Sequence, residues 1–476
     1  MSESNHTSLP TTNSPASLVT PCPPGNAYVD CVRTRLKNYL EEQPLTKWIE
    51  ARAAGGVEPF YTSIDLRDAG FKLAPVDANL FPAGFNNICP EDLFHSAPIA
   101  RRVLIKHLGR VPKNLVILPE SHTKNRFYVD NLLALKQIFE NLGIVVHIGW
   151  WGEIPTESLV LKDGIETVRL SSSTGTEIFA VPLYLKNEQL VLKDLTLEAP
   201  AEIAPEFILL NNDFSSGFPL KLSCVSQPIE PSFRLGWHTR KKHEFFENYN
   251  RLAGELALNA KLDPWHLQVD TELVTDVNFD ESVGMERIAA AAERVLNRIR
   301  LEYEKRGIEE KPFVFIKSNS GTYGMGILKI EDPAELRSLN RRDRNKMHVV
   351  KNNLVVHDVI VQEGIPTRFQ VDGVFAEPVV YSLGSELLGG FLRKNPTRSK
   401  IDNLNSKGMV FQKLCMTDLR READRDLSLE LVFGTMATIS VAAVGLEIAK
   451  HGSPLRMLPK IDNSMGDEIT HANPGI

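Results

Sequence analysis

The chain is poor in cysteine, and the cysteines it has form no motif. Cys22, Cys31, Cys89, Cys224 and Cys415 include no Cys-x-x-Cys pair and no Cys/His spacing of a zinc site. An odd, dispersed set of five in 476 residues is expected to stay as free thiols in a reducing compartment. Excess positive charge is missing too. Lys and Arg number 54 against 60 Asp and Glu, a formal net charge of −6, which argues against a nucleic-acid partner. Local basic runs such as Arg240-Lys241-Lys242 then read as solvated faces. No apolar run reaches membrane-spanning length, since the longest, Thr435 to Ala449, is too short and carries Glu447. The first residues lack the basic start and apolar centre of a signal peptide, so no membrane partner is expected and the location is cytoplasmic. Nor does any Ser/His/Asp or Cys/His constellation offer a nucleophile.

What is present is an ordinary globular composition, 42% apolar and 24% charged, long enough for two or three packed units. Residues 1–25 are rich in Ser, Thr and Pro and read as a disordered tail. An amphipathic helix is expected from Tyr28 to Ile49. "KNLVILPE" (Lys113 to Glu120) reads as a buried strand. "YVDNLLALKQIFENLG" places Leu132, Leu135, Phe139 and Leu142 at helical spacing with Gly143 at the exit, and "IVVHIGW" reads as a second strand. Strand, helix, strand at this length is a βαβ unit with a parallel pair. Long amphipathic helices follow over Gly236–Ala257 and Glu281–Gly307. From Lys311 short β-branched runs alternate with Gly, Pro and Asn. The fold class is therefore mixed α/β (α+β), with an N-terminal α/β unit over 26–235, a helical segment over 236–310, a β-rich unit over 311–455 and a tail over 456–476.

The stretch "FIKSNSGTYGMGIL" runs a strand into Lys317 and then into Gly321, Gly324 and Gly326. Such glycines let backbone N–H groups turn toward an anion, with the lysine beside it. A plain β-hairpin with a solvent-facing lysine fits the stretch equally well. It is neither GxxxxGK[ST] nor GxGxxG. "VIVQEGI" follows as a buried strand ending in Gln362 and Glu363, where polar groups leaving the core can meet an adenine edge. Arg393 then offers a fork of donors, and Asn403 and Asn405 offer hard oxygen ligands. In the N-terminal half, Ser121, His122, Thr123 and Asn125 fall at the C-terminal edge of a parallel sheet, where ligands commonly sit, or simply cap the helix.

In this order, lysine and glycine flap, Val-Gln-Glu strand, arginine and Asn-x-Asn loop, the chain resembles an ATP-grasp nucleotide domain, here over 311–455. More narrowly it resembles the glutamate–cysteine ligases of some proteobacteria. The closer tokens are "IDLRDAGFKLAPVDANLFPAGFNNI", "PESHTKN", "LLNNDFSSGFP", "GWHTRKKHEFF" and "KSNSGTYGMGI". The resemblance implies a ligase that joins the γ-carboxylate of glutamate to the amine of cysteine, splitting ATP with Mg²⁺ through an acyl phosphate. It implies that Lys317 binds phosphates under a flap of Gly321, Thr322, Tyr323, Gly324 and Gly326. Gln362 and Glu363 would line the adenine end, Arg393 would face the γ-phosphate, and Asn405 would bind metal. For the amino acids it offers Arg67, Lys72, Asn86, His122, Asn125 and Arg240. Another ATP-grasp ligase, or a nucleotide-binding protein without catalysis, would share the nucleotide motifs. The oligomeric state is not legible.

Overall fold

The computed structural model describes residues 22–24, 26–120, 125–197, 199–215, 217–279, 281–320, 327–339, 357–415 and 429–451. The first expected helix is divided in two, α1 (Asn26–Glu42) and a short helix Leu45–Arg52. Pro44 between them has no backbone N–H to continue a helical ladder and disfavours helix in the residue before it. Next come two antiparallel strands, β1 (Tyr61–Asp68) and β2 (Leu73–Asn79). The βαβ unit is as expected: β3 (Asn114–Pro119), α2 (Arg126–Glu140) and β4 (Val145–Trp150), with Asn114 opposite Val145 in parallel register. Leu132, Leu135 and Phe139 are buried, and Gly143 takes a φ of 76° at the exit. A further strand, β5 (Ile208–Asn211), adds in parallel on the other side of β3 within a seven-stranded sheet.

The middle of the chain is helical, with α3 (Lys242–Asn259) and α4 (Ser282–Arg306) flanking a short strand, β6 (Thr271–Val274). Ile288, Val295, Ile299 and Tyr303 of α4 are buried on one face, and Gly307 closes the helix at a φ of 63°. The hairpin at the opening of the β-rich region forms between β7 (Val314–Ser318) and β8 (Leu328–Ile330), with Val314 opposite Ile330. β9 (Val359–Glu363) pairs with both β7 and β6, completing a four-stranded sheet that α4 covers.

Two long strands, β10 (Val374–Leu383) and β11 (Glu386–Lys394), then return to the N-terminal part of the chain. β10 pairs with β1, Tyr61 opposite Leu383, and β12 (Val410–Leu414) extends the far edge, giving the order β2-β1-β10-β11-β12. This sheet draws strands from both sides of the boundary expected near Lys311. Ile64, Leu66 and Val380 pack against the last helix, α5 (Leu429–His451), with Phe245, Tyr249 and Leu252 of α3 and Tyr28, Val32 and Leu36 of α1. By length and composition alone α5 could cross a membrane, and it is longer than the apolar run suggested. However, 78% of its most apolar window is buried inside the protein, the environment that an all-round apolar helix needs.

The free-thiol expectation needs correction. Cys22 is bonded to Cys31 and Cys89 to Cys415, with Cα separations of 5.8 and 5.1 Å, inside the range a disulfide can span. The second pair joins positions 326 residues apart, which no local spacing reveals. Cys224 alone is free and exposed. Thiol titration of denatured protein, purified without reductant, should therefore find one reactive thiol per chain; five would contradict both bridges.

Candidate active site

The site begins with an irregularity in the edge strand β2. Along β1 the register steps from Asp65 opposite Asp77 to Leu66 opposite Pro75, leaving Val76 as an extra, unpaired residue. Such a bulge turns a backbone carbonyl out of the ladder, and Pro75, with no N–H, is tolerated only at an edge or a bulge. The freed Val76 carbonyl accepts from Lys317 Nζ at 3.0 Å and from Gln362 Nε2 at 3.4 Å. Phe315 lies opposite Gln362 in register and two residues from Lys317, so all three share the face that meets β1 and β2. The Arg67 guanidinium and the Lys317 ammonium lie 6.0 and 5.6 Å from the Phe315 ring centroid. Lys317 is only 7% exposed. Burial lowers its pKa to about 8, against the opposing pull of Asp77. The Oε1 atom of Gln362 is buried with no hydrogen-bond partner among the described residues.

Deeper on the same face lies a buried ion network. Glu377 is opposite Arg393 across β10 and β11 and accepts from Arg67 at 2.7 Å and from Arg393 at 2.9 Å. Arg393 also reaches Asp65 at 2.6 Å. Burial alone would raise the Glu377 carboxyl, but the two guanidiniums outweigh it and hold it below the usual range. At Asp65 burial wins against Arg393 and the carboxyl is pushed up, with Glu377 and Asp77 adding to the shift. Arg393 keeps its Nε without a partner among the described residues. Arg67 donates further to the carbonyls of Ile365 and Asp402 at 3.0 and 2.7 Å, tying the loop that holds Asn405 to this network.

The third wall is the segment before α3. The helix expected from Gly236 starts only at Lys242, leaving Trp237 to Lys241 outside it. Gly236 is required there, because a Cβ would lie 2.9 Å from the Asp213 carbonyl and 2.7 Å from the His238 ring. Arg240 donates to the Ala78 carbonyl at 2.6 Å and to buried Glu447 of α5 at 2.9 Å, and Lys242 pairs with Asp77 at 2.6 Å. Between this segment and β2 opens a narrow cleft.

Of the residues expected from sequence, Arg67, Lys317, Gln362, Arg393 and Arg240 converge. Lys72 and Glu363 are placed elsewhere: they form a fully buried pair at 2.7 Å, with Lys72 also 4.1 Å from the Trp265 ring centroid. Asn86 bonds to Asn87 in a short turn, and Asn125 caps α2 by accepting from Tyr128 N–H. His122, Gly321, Thr322, Tyr323, Gly324 and Gly326 lie outside the described residues. Asp65, Asp77, Lys242 and Glu377, not singled out from the sequence, are brought beside the residues that converge. The legible signal for Asp65 and Arg67 was their i, i+2 spacing, and for Asp77 and Asn79 the same.

Compared with known proteins, the chain matches the family model described as glutamate–cysteine ligase over residues 37–448. A search of curated proteins found no match. Among solved structures, one from Methylobacillus flagellatus KT, assigned by name only as a gamma-glutamylcysteine synthetase, is 31% identical with a TM-score of 0.76, covering 91% of this chain and 100% of that one. A glutathione synthetase-like effector from Globodera pallida, in its apo form, matches at 11% identity and a TM-score of 0.32, covering 80% of this chain and 81% of that one, a likeness too slight to argue from. The class is thus that of ATP-dependent ligases. The chain belongs to the glutamate–cysteine ligase family, whose reaction is the first step of glutathione synthesis.

The position of Lys317 has a pH consequence. A lysine whose folded pKa is lowered to about 8 loses its charge as pH rises through 8, whereas in the unfolded chain it keeps it until about 10.5. If this charge holds an anion, affinity for ATP should fall above pH 8 by up to about tenfold per pH unit. Lys317→Arg, always charged, should flatten that profile. Equal slopes in both proteins would exclude Lys317 from nucleotide binding.

Proposed function

We propose that ATP lies between the β7–β9 sheet and the polar face of β1, β2, β10 and β11, with Lys317 on its phosphates. The convergence of Lys317 and Gln362 on the bulged Val76 carbonyl, beside the Arg67–Glu377–Arg393 network, is the observation that carries this reading. The orphaned Gln362 Oε1 suits a donor such as the exocyclic amine of adenine, since a buried acceptor left unpaired costs about 1–3 kcal/mol. Arg393 Nε is a spare donor for a phosphate oxygen.

The chemistry follows from what a carboxylate lacks. Its charge is spread over two oxygens and it is a poor electrophile until phosphorylated. One oxygen of the glutamate γ-carboxylate attacks the γ-phosphorus of ATP, and ADP leaves. The amine of cysteine then attacks the carbonyl carbon and phosphate departs with the C–O bond pair. Lys317 and Arg393 would neutralise the transferring group while the closed cleft keeps water away from the acyl phosphate. Mg²⁺, when bound with ATP, supplies further charge neutralisation on the phosphates. No group of three or more His, Cys, Asp or Glu gathers among the described residues. A phosphate-borne magnesium takes only one or two protein oxygens. The hard oxygen of Asn405 fits that need, and we propose it as a ligand. Glutamate, cysteine and ATP are the small-molecule partners, and the cytoplasm is the proposed location.

Purified protein given Mg²⁺–ATP and glutamate should release ADP in a cysteine-dependent manner and yield γ-glutamylcysteine by mass. Lys317→Ala should weaken ATP binding by about 1.5–3 kcal/mol. Turnover only with a different carboxylate and amine would overturn the substrate assignment, and unchanged ATP affinity in the variant would overturn the nucleotide site.

A further inference from the structure

We propose that the cleft between β2 and the Trp237–Lys242 segment is the glutamate site, with Asp77 receiving the α-ammonium and Arg240 and Lys242 the α-carboxylate. The proposal rests on the ligase reading above and names the place its acid substrate occupies. The cleft is narrow and lined on two sides, by β2 and by the segment before α3. Asp77, Asn79, Trp237, Arg240 and Lys242 line it, with Leu80 and Phe245 as part of its apolar wall. Both charge signs are therefore held side by side, the pattern a zwitterionic head group needs. Burial would raise the Asp77 carboxyl, but Lys242 and Lys317 outweigh it and keep it ionised. Trp237 lines the cleft, and its buried Nε1, with no hydrogen-bond partner among the described residues, is the donor that the proposal gives to a carboxylate oxygen.

Position along β2 selects glutamate over cysteine. Asp77 follows directly on Val76, the residue whose carbonyl holds Lys317. The Asp77 carboxylate and the Lys317 ammonium also act on each other's charge, so the two groups are neighbours in the site. A glutamate held by its head group at Asp77 thus presents its second carboxylate toward Lys317, where it must meet the γ-phosphate. Cysteine, with no second carboxylate, gains nothing from that neighbour. The same segment also contacts Asn319 and Ser320, just beyond β7. Lys242 N–H donates to the Asn319 carbonyl at 2.7 Å, His243 N–H to Asn319 Oδ1 at 3.1 Å, and Lys241 Nζ to Ser320 Oγ at 2.7 Å. One wall therefore faces the proposed glutamate on one side and holds the end of β7 on the other.

The test compares Lys242→Gln and the milder Trp237→Phe, which keeps the ring and removes only the N–H. KM for glutamate should rise about tenfold to a hundredfold in Lys242→Gln, the worth of a charge-assisted contact, and severalfold in Trp237→Phe, with KM for ATP within twofold. Calorimetric titration with L-glutamate should show the same loss without turnover. Unchanged glutamate affinity in both variants, or an equal rise in KM for ATP, would overturn the proposal. Should wild-type protein bind L-glutamate in this cleft yet make no dipeptide, the cleft assignment would stand while the ligase reading fell.

Discussion

One displaced carbonyl organises the site. Without the bulge at Val76, β2 would keep in step with β1 and the Val76 carbonyl would stay in the plane of the sheet. With it, an acceptor faces across to the second sheet and meets Lys317 and Gln362. A lysine ammonium that is 7% exposed needs such partners, because desolvation disfavours its charge. Burial lowers its pKa to about 8, and the Asp77 carboxylate next to the carbonyl works against that loss of charge.

The remaining charges follow the same logic. Asp65, Glu377, Arg67 and Arg393 neutralise one another on a face that would otherwise be too polar to bury. Their donors are held in fixed directions before any ligand arrives, which is the form of preorganisation that charge transfer between oxygens rewards. The opposite face of the sheet is apolar and rests on α5, α3 and α1. Rigidity behind and charge in front come from the alternation of side chains along the same strands.

Local features were legible in the sequence. The βαβ unit, α4 with its glycine stop, the β7–β8 hairpin and the strand ending in Gln362-Glu363 all follow from periodicity and turn residues. The central sheet was not, since β1 and β2 find β10 and β11 from the far side of the chain, and pairing between distant strands leaves no mark in either segment alone. The stretch "APVDANL", whose Pro, Asp and Asn content fits a surface loop, forms an edge strand because its neighbour supplies the ladder. Lys72 and Glu363 show a pairing the sequence does not reveal. Each has the chemistry of a site residue, and in the fold they form a buried ion pair at 2.7 Å. Arg240 and Lys242, read as a solvated run, turn inward because Asp77 and Glu447 wait there.

The account as a whole depends on ATP activating the γ-carboxylate of glutamate. Glutamate labelled with ¹⁸O in that carboxylate, turned over with cysteine and Mg²⁺–ATP, tests this most directly. Transfer of one labelled oxygen per turnover into the released inorganic phosphate is the predicted result. Phosphate free of label, formed together with the dipeptide, would contradict an acyl phosphate and the arrangement of the site around one.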